Sequence, residues 1–142
     1  MVNAASKNKK VLIIDDDVDY VEYLQTVIES AGYSVETAHS ADQALEHIKA
    51  ATPDLIILDI IMPEKDGEWF LDEFRKQYPE LAGVPICFLT AKTGKLDILR
   101  GIQREVDAYL TKPVDQDILL TTIDARLKHR NRIKNAPTVG KT

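Results

Sequence analysis

The stretch that decides the fold is Leu55–Gly67, which reads Leu-Ile-Ile-Leu-Asp-Ile-Ile-Met-Pro-Glu-Lys-Asp-Gly. Four consecutive apolar residues end at Asp59, and Pro63 prevents regular structure from continuing beyond the next few residues. A strand that delivers one carboxylate to the edge of a sheet, followed by an irregular loop, is how α/β proteins commonly build a site. Asp59 is therefore the first candidate for chemistry.

The same alternation of apolar strand and amphipathic helix extends in both directions from this stretch. The predicted strands are Val11–Ile14, Ser34–Ala38, Leu55–Leu58, Pro85–Leu89 and Ala108–Leu110. Apolar residues at helical spacing follow each strand, Ser40–Gln43 forms a capping box, and Asp115 caps the last helix. Five such alternations predict an α/β fold, in which a doubly wound parallel sheet has helices on both faces.

The composition narrows the class of protein. At 142 residues and 44% apolar content, the chain is suited to one globular domain. The net charge of -5 argues against a protein that binds nucleic acid over its whole surface. Cys87 is the only cysteine, which excludes a disulfide framework and a cysteine metal cluster. No apolar run reaches the ~18 residues of a membrane span, and no signal peptide begins the chain, so we expect a cytoplasmic protein without a membrane partner.

The two ends of the chain differ from its middle. Residues 1–8 are polar and without periodicity, which predicts a disordered lead-in. Residues 9–128 carry all the predicted strands and most of the last helix, and form one domain. Residues 129–142 are interpreted as a basic tail or the stub of a linker, because no acidic residue balances the basic ones from Arg126 onward. The tail contains no aromatic residue, so contact with nucleic acid is the weaker interpretation.

Polar residues end four of the predicted strands. They are Asp15 and Asp16, Asp59, Thr90, and Lys112. Because the carboxyl ends of parallel strands meet at one edge, these side chains should converge, and clustered carboxylates are costly unless a cation lies among them. Oxygen ligands without histidine or cysteine suit Mg2+.

A lysine and a threonine hydroxyl suit a phosphoryl group, for which Asp59 would be the nucleophile. The alternative is that all of these residues are ordinary caps and turns, and it would have to hold at four strand ends.

Four motifs in this order resemble the receiver domain of bacterial response regulators. They are Ile14-Asp15-Asp16-Asp17, Leu58–Pro63 with Asp66-Gly67, Leu89-Thr90-Ala91, and Tyr109-Leu110-Thr111-Lys112-Pro113. The resemblance covers about Lys9–Leu127 and implies a flavodoxin-like sheet of strand order 2-1-3-4-5. It implies a phosphoacceptor signalling domain, not an enzyme, that receives a phosphoryl group on Asp59 from a histidine kinase or a histidine phosphotransfer protein.

The resemblance also implies roles for the surrounding residues. Those that arrange Mg2+ would be Asp15, Asp16, Asp59 and the backbone carbonyl of Ile61. Those that hold the phosphoryl oxygens would be Thr90, the backbone amide of Ala91, and Lys112. In this family the threonine moves toward the phosphoryl group and the aromatic residue at Tyr109 turns inward. That switch alters the face made by the fourth helix, the fifth strand and the fifth helix.

The chain departs from the family pattern at two places. Glu105-Val106 replaces the usual Gly-Ala before the fifth strand, so the turn lacks the residue that most easily adopts positive φ, and a shifted or irregular fourth helix is expected. Ile61 and Lys92 occupy the positions that tune phosphotransfer and dephosphorylation. Because an apolar side chain cannot orient an attacking water, we expect a phosphoryl lifetime longer than that of fast-relaxing chemotaxis receivers.

Four other functions share some feature with this sequence. An Mg2+-dependent aspartyl phosphatase of the haloacid dehalogenase kind shares Asp15-x-Asp17, but Asp19 stands where that family has Thr or Val. Tyr20 replaces the glycine of a calcium loop, and the acidic turn after the first strand would repel a flavin phosphate. A degenerate receiver that serves as an interaction scaffold is a further alternative. The sequence does not decide whether the output is a downstream protein effector, a further C-terminal output domain or a phosphorylation-dependent dimer. Nucleic acid is not an expected partner of this domain.

Overall fold

A computed structural model of the chain describes residues 8–91 and 95–135. The strands are β1 (Lys10–Ile14), β2 (Ser34–Ala38), β3 (Leu55–Asp59), β4 (Ile86–Thr90) and β5 (Ala108–Thr111). The helices are α1 (Val18–Ser30), α2 (Ala41–Ala50), α3 (Gly67–Gln77), α4 (Lys95–Gln103) and α5 (Gln116–Asn135), and a short 3₁₀ turn spans Pro79–Leu81. All strand pairs are parallel, in the order β2-β1-β3-β4-β5. The predicted doubly wound fold and its strand order are confirmed.

The sheet is buried on both faces because its central strands β1, β3 and β4 are apolar except at one end of each, where Lys10, Asp59 and Thr90 lie. Alternate residues of β1 point to opposite sides: Val11 lies in one core layer with residues of α1 and α5, and Leu12 in the other with residues of α2 and α3. Every residue of β3 is buried, including Asp59 at its end. The sheet therefore delivers Asp59 from an apolar interior to its edge.

Side-chain caps begin the helices that follow the strands. Asp17, Ser40 and Asp66 each accept a hydrogen bond from the backbone N–H three residues later, at the starts of α1, α2 and α3. Asp115 does the same for Ile118 at the start of α5, at 3.0 Å. Each such cap stabilises its helix by ~1 kcal/mol. The predicted caps at Ser40 and Asp115 are confirmed.

The end of α4 differs from the expectation of an irregular helix. α4 is regular over Lys95–Gln103, and Glu105 itself adopts the left-handed conformation, with φ 55°. The N–H of Val106 donates to the carbonyl of Gly101 at 3.1 Å, which closes the helix as a glycine in the turn would. The Arg75 guanidinium of α3 donates to the carbonyls of Arg104 and Glu105. These bonds offset the ~1–2 kcal/mol cost of a left-handed non-glycine residue.

The last helix continues beyond the core. α5 runs through Asn135, so it includes residues 129–135 of the predicted tail, and the domain boundaries stay a prediction. Residues 1–7 of the predicted lead-in and residues 136–142 of the predicted tail lie outside the described residues. Within residues 8–91 and 95–135, no helix is both long enough and apolar enough to cross a bilayer.

Candidate functional site

The predicted polar residues meet at the carboxyl edge of the sheet. Asp15 follows β1, Asp59 ends β3, and Lys112 follows β5. The Lys112 ammonium lies 2.7 Å from Oδ2 of Asp15 and 3.2 Å from Oδ2 of Asp59. Asp16 contributes a carboxylate oxygen that lies within 4.8 Å of one oxygen from each of the other two aspartates. The structure thus brings the three acidic residues and the lysine together, as the strand ends predicted.

Burial shapes the electrostatics of this cluster. Asp15 is fully buried and Asp59 is 8% exposed. Burial, and then the charge of Asp15, raise the pKa of Asp59 to about 7, against the opposing charge of Lys112. Burial works to lower the pKa of Lys112, but its hydrogen bond to Asp15 and the charges of Asp59 and Asp15 outweigh that effect and raise it. One lysine therefore faces two buried carboxylates, which leaves negative charge for a further cation.

Backbone groups hold the two buried carboxylates in place. The N–H of Asp17 donates to Oδ1 of Asp15 at 3.0 Å, and the N–H of Ile61 donates to Oδ1 of Asp59 at 3.2 Å. The first residue of α3, Gly67, packs directly on the loop that follows Asp59. A Cβ atom at Gly67 would lie 2.5 Å from the Asp59 carbonyl oxygen. Only glycine fits there, which explains physically why Asp66-Gly67 belongs to the motif.

The donor set fits a magnesium ion. Three carboxylates converge, the described residues place no histidine or cysteine among them, and hard oxygen ligands are those that Mg2+ prefers. The Thr90 side chain is 1% exposed, and its hydroxyl has no hydrogen-bond partner among the described residues. A buried hydroxyl without a partner is unfavourable unless a ligand completes the site. The cluster is therefore suited to a cation together with an anionic group.

The structure describes three of the four remaining predicted residues, which are Ala91, Ile61 and Tyr109. Ala91 directly follows Thr90 and is exposed, and the Ile61 side chain is 66% exposed beside Asp59. Lys92 lies outside the described residues. Tyr109 is half-buried in β5, and its ring packs against Gly101 of α4 so closely that a Cβ atom there would clash with it. The predicted switch residue is therefore in direct contact with α4.

Tyr20 of α1 is not among the residues that the sequence predicts for the site, yet it contacts the segment that carries Lys112. The Tyr20 hydroxyl accepts a hydrogen bond from the N–H of Val114 at 3.0 Å. Its ring centroid lies 5.0 Å from Nζ of Lys112. The only signal in the sequence was its place in the first turn of the helix that follows Asp15 and Asp16. Nothing in that spacing reveals a contact with a residue more than ninety positions away.

Comparison with known families identifies this arrangement. Residues 11–124 match the family model of the response regulator receiver domain. The chain belongs to this family. The cluster described above is the acidic site of a receiver domain, a module of the response regulators of two-component systems. Receiver domains interact with histidine kinases, and they bind Mg2+ at an aspartate cluster of this kind.

Relatives and solved structures agree with the assignment of a receiver domain. The chain is 34% identical over 125 residues to the transcriptional regulatory protein DltR of Streptococcus agalactiae, covering 88% of this chain and 54% of that protein. It is 39% identical over 106 residues to the alkaline phosphatase synthesis transcriptional regulatory protein PhoP of Bacillus subtilis, covering 75% and 43%. The chain thus spans about half the length of the curated relatives that it matches.

Two solved structures show the same fold. A CheY-like response regulator receiver domain protein from Methanospirillum hungatei superimposes with a TM-score of 0.80 at 28% identity, covering 89% of this chain and 99% of that one. A two-component response regulator from Clostridium difficile gives a TM-score of 0.79 at 31% identity, covering 87% and 99%.

Proposed function

We propose that this receiver domain accepts a phosphoryl group on Asp59 from a histidine kinase or a histidine phosphotransfer protein. The observation that carries the proposal is the contact of Lys112 with the buried carboxylates of Asp15 and Asp59, next to strand β4, which ends in a buried Thr90 hydroxyl without a partner among the described residues. The Asp59 carboxylate is suited to attack phosphorus as a nucleophile. The Lys112 ammonium and the Thr90 hydroxyl are suited to bind the phosphoryl group that results.

The residues of the chain account for the steps of transfer. A carboxylate oxygen of Asp59 attacks the phosphorus, an O–P bond forms as the donor's N–P bond breaks, and the leaving imidazole recovers the electron pair and takes a proton from solvent. Lys112 already lies 3.2 Å from Asp59, so its charge offsets the charge on the phosphoryl oxygens. The Thr90 hydroxyl and the Ala91 amide donate hydrogen bonds to the same oxygens.

Magnesium completes the charge balance in this proposal. The residues that would hold it are Asp15, Asp16, Asp59 and the backbone carbonyl of Ile61. When bound, Mg2+ would supply positive charge that offsets the charge of the phosphoryl oxygens. Asp59 then has two partners, the metal and Lys112, that favour its ionised and nucleophilic form over the protonated form that burial favours.

Phosphorylation would then switch the face made by α4, β5 and α5. Thr90 moves toward the phosphoryl group and vacates space that the Tyr109 ring enters. Support comes from the packing of that ring on Gly101, because its departure removes a contact that holds α4. Four exposed apolar side chains on this face form a surface to which a partner can bind. They are Leu96, Leu99, Ile102 and Ile118. The partner is a downstream effector, an output domain of the same protein, or a second copy in a phosphorylation-dependent dimer.

The lifetime of the phosphoryl group depends on the residues beside it. The exposed side chain of Ile61 cannot hold an attacking water, and Lys92 is proposed to attract an anionic donor. We expect Ile61→Gln, which adds a polar amide, to shorten the lifetime of the Asp59 phosphate by about 3-fold or more. Decay of the adduct after removal of the donor measures this. A wild-type half-life of seconds would contradict the slow decay expected for Ile61.

Intact mass tests the proposed function. Wild-type protein incubated with Mg2+ and acetyl phosphate should gain one phosphate, and Asp59→Asn should gain none. Asp42→Asn is the matched control, because Asp42 is an exposed carboxylate on α2 that pairs with Lys65, and it should behave as wild type. Absence of the adduct, or an adduct that survives in Asp59→Asn, would defeat the proposal. Turnover of a phosphate ester without a protein donor would favour the phosphatase alternative instead.

A further inference from the structure

A closed circuit of contacts connects the first aspartate of the site to its lysine through Tyr20. The N–H of Asp17 donates to Oδ1 of Asp15 at 3.0 Å, and the N–H of Tyr20 donates to Oδ1 of Asp17 at 3.1 Å. The hydroxyl of Tyr20 accepts the N–H of Val114 at 3.0 Å. Lys112 closes the circuit with an ion pair of 2.7 Å to Oδ2 of Asp15.

The Tyr20 side chain acts on both sides of Pro113. Its hydroxyl fixes the backbone of the residue that follows the proline, and its ring centroid lies 5.0 Å from the ammonium of Lys112, the residue that precedes it. An ammonium over an aromatic face is attracted by the electrons of the ring, and the attraction grows when the pair is partly shielded from water. Both groups are half-buried, so the ring narrows the positions that the flexible Lys112 side chain can occupy.

We infer that Tyr20 is a positioning residue for phosphoryl transfer, which holds Lys112 and the loop after β5 in register with the aspartates. This inference rests on the proposed role of Asp59. The Lys112 side chain has four rotatable bonds. It stabilises a transition state best when its ammonium is already held at the reacting oxygens. Tyr20 provides that restraint from α1, where the circuit through Asp17 fixes its backbone.

Two substitutions separate the two contacts. Tyr20→Phe removes the hydrogen bond to Val114 and keeps the ring, and we expect it to slow phosphorylation of Asp59 by acetyl phosphate about 3-fold. Tyr20→Leu removes the ring as well, and we expect a loss of about 10-fold. The matched controls are Tyr23→Phe and Tyr23→Leu, because Tyr23 lies on the same helix, is 46% exposed and has its ring 6.1 Å from that of Tyr20. These controls should keep the wild-type rate.

The role is tested through Lys112 itself. In a Lys112→Ala background, Tyr20→Phe and Tyr20→Leu should change the remaining rate by less than about 2-fold, because the group that they position is gone. NMR gives a second measurement: the ring of Tyr20 should shift the ε-methylene protons of Lys112 upfield, and the shift should persist in Tyr20→Phe and vanish in Tyr20→Leu. Urea unfolding checks that each variant is folded. If Tyr20→Leu does not fold, the test rests on Tyr20→Phe, whose effect on the rate of phosphorylation is compared with and without Lys112.

The outcomes separate this inference from the proposed function. A wild-type rate in both Tyr20 variants would overturn it, and so would an equal loss with and without Lys112, which indicates a purely structural role. If wild-type protein takes up no phosphate at all, the proposed function fails, and the role of Tyr20 in it fails as well.

Discussion

Ionised Asp59 is expected to destabilise the metal-free folded protein, so Asp59→Asn should stabilise it. Burial and the charge of Asp15 raise the pKa of Asp59 from 3.8 to about 7. At ~1.4 kcal/mol per pH unit, this difference corresponds to a cost of up to ~4 kcal/mol at pH 8. Asparagine keeps the shape and an acceptor for the N–H of Ile61, but it weakens the contact with Lys112. We therefore expect Asp59→Asn to raise the free energy of unfolding by ~2–3 kcal/mol at pH 8 in EDTA.

The sign of the pH dependence follows from the two pKa values of Asp59. Between about pH 4 and pH 7 the folded protein holds a proton on Asp59 that the unfolded chain has released. The contribution of Asp59 to stability therefore falls as pH rises through this window and is constant above it. The linkage relation gives a cost of ~2 kcal/mol at pH 5 and ~4 kcal/mol at pH 8, so the advantage of Asp59→Asn should grow by ~2 kcal/mol between these pH values.

Urea unfolding in EDTA at pH 5 and pH 8, followed by circular dichroism, measures this effect. Asp42→Asn, at an exposed site, should stay within ~0.5 kcal/mol of wild type at both pH values. Saturating Mg2+ should stabilise wild type more than Asp59→Asn and narrow the gap, because the variant lacks one of the proposed ligands. The reasoning is refuted if Asp59→Asn is no more stable than wild type at pH 8, or if its advantage is the same at both pH values.

Three further substitutions test packing and backbone conformation around the site. Glu105→Gly should raise the free energy of unfolding by ~1 kcal/mol, because Glu105 has a φ of 55°; a loss of stability in urea unfolding would show that its side chain matters more than its backbone. Gly101→Ala should cost ~1–3 kcal/mol, because its Cβ atom meets the Tyr109 ring, whereas in a Tyr109→Ala background the cost should fall below ~1 kcal/mol, because only the 3.1 Å approaches to Phe88 and Val106 remain and helix propensity offsets them. Equal effects in the two backgrounds would rule out the contact with the ring. Gly67→Ala should lower the thermal midpoint and cost ~2–3 kcal/mol, because its Cβ atom would lie 2.5 Å from the Asp59 carbonyl oxygen; an unchanged midpoint would mean that the loop can move at little cost.

The sequence alone was sufficient to determine the fold and the main members of the site. Continuous apolar runs such as Val11–Ile14 and Leu55–Leu58 are short and bounded by polar residues, so they fit strands covered on both faces by helices, as in a parallel sheet. In such a sheet the residues that end the strands meet at one edge, so Asp15, Asp59 and Lys112 could be grouped before any distance was known. Local rules also predicted the caps, because a cap depends on residues only three positions apart.

Tertiary structure alone decided how these groups are supported. The contact of Tyr20 with Lys112 and the packing of Gly101 on Tyr109 each join elements that are distant in the chain or packed face to face. Sequence periodicity reports which face of an element is buried, but not which side chain it meets there. The sequence also could not show that Glu105 adopts the left-handed conformation in place of a glycine, because the hydrogen bonds from Arg75 that support it come from a neighbouring helix. The strand pattern thus determined the list of reactive groups, and packing between elements determined the distances, charges and restraints under which they act.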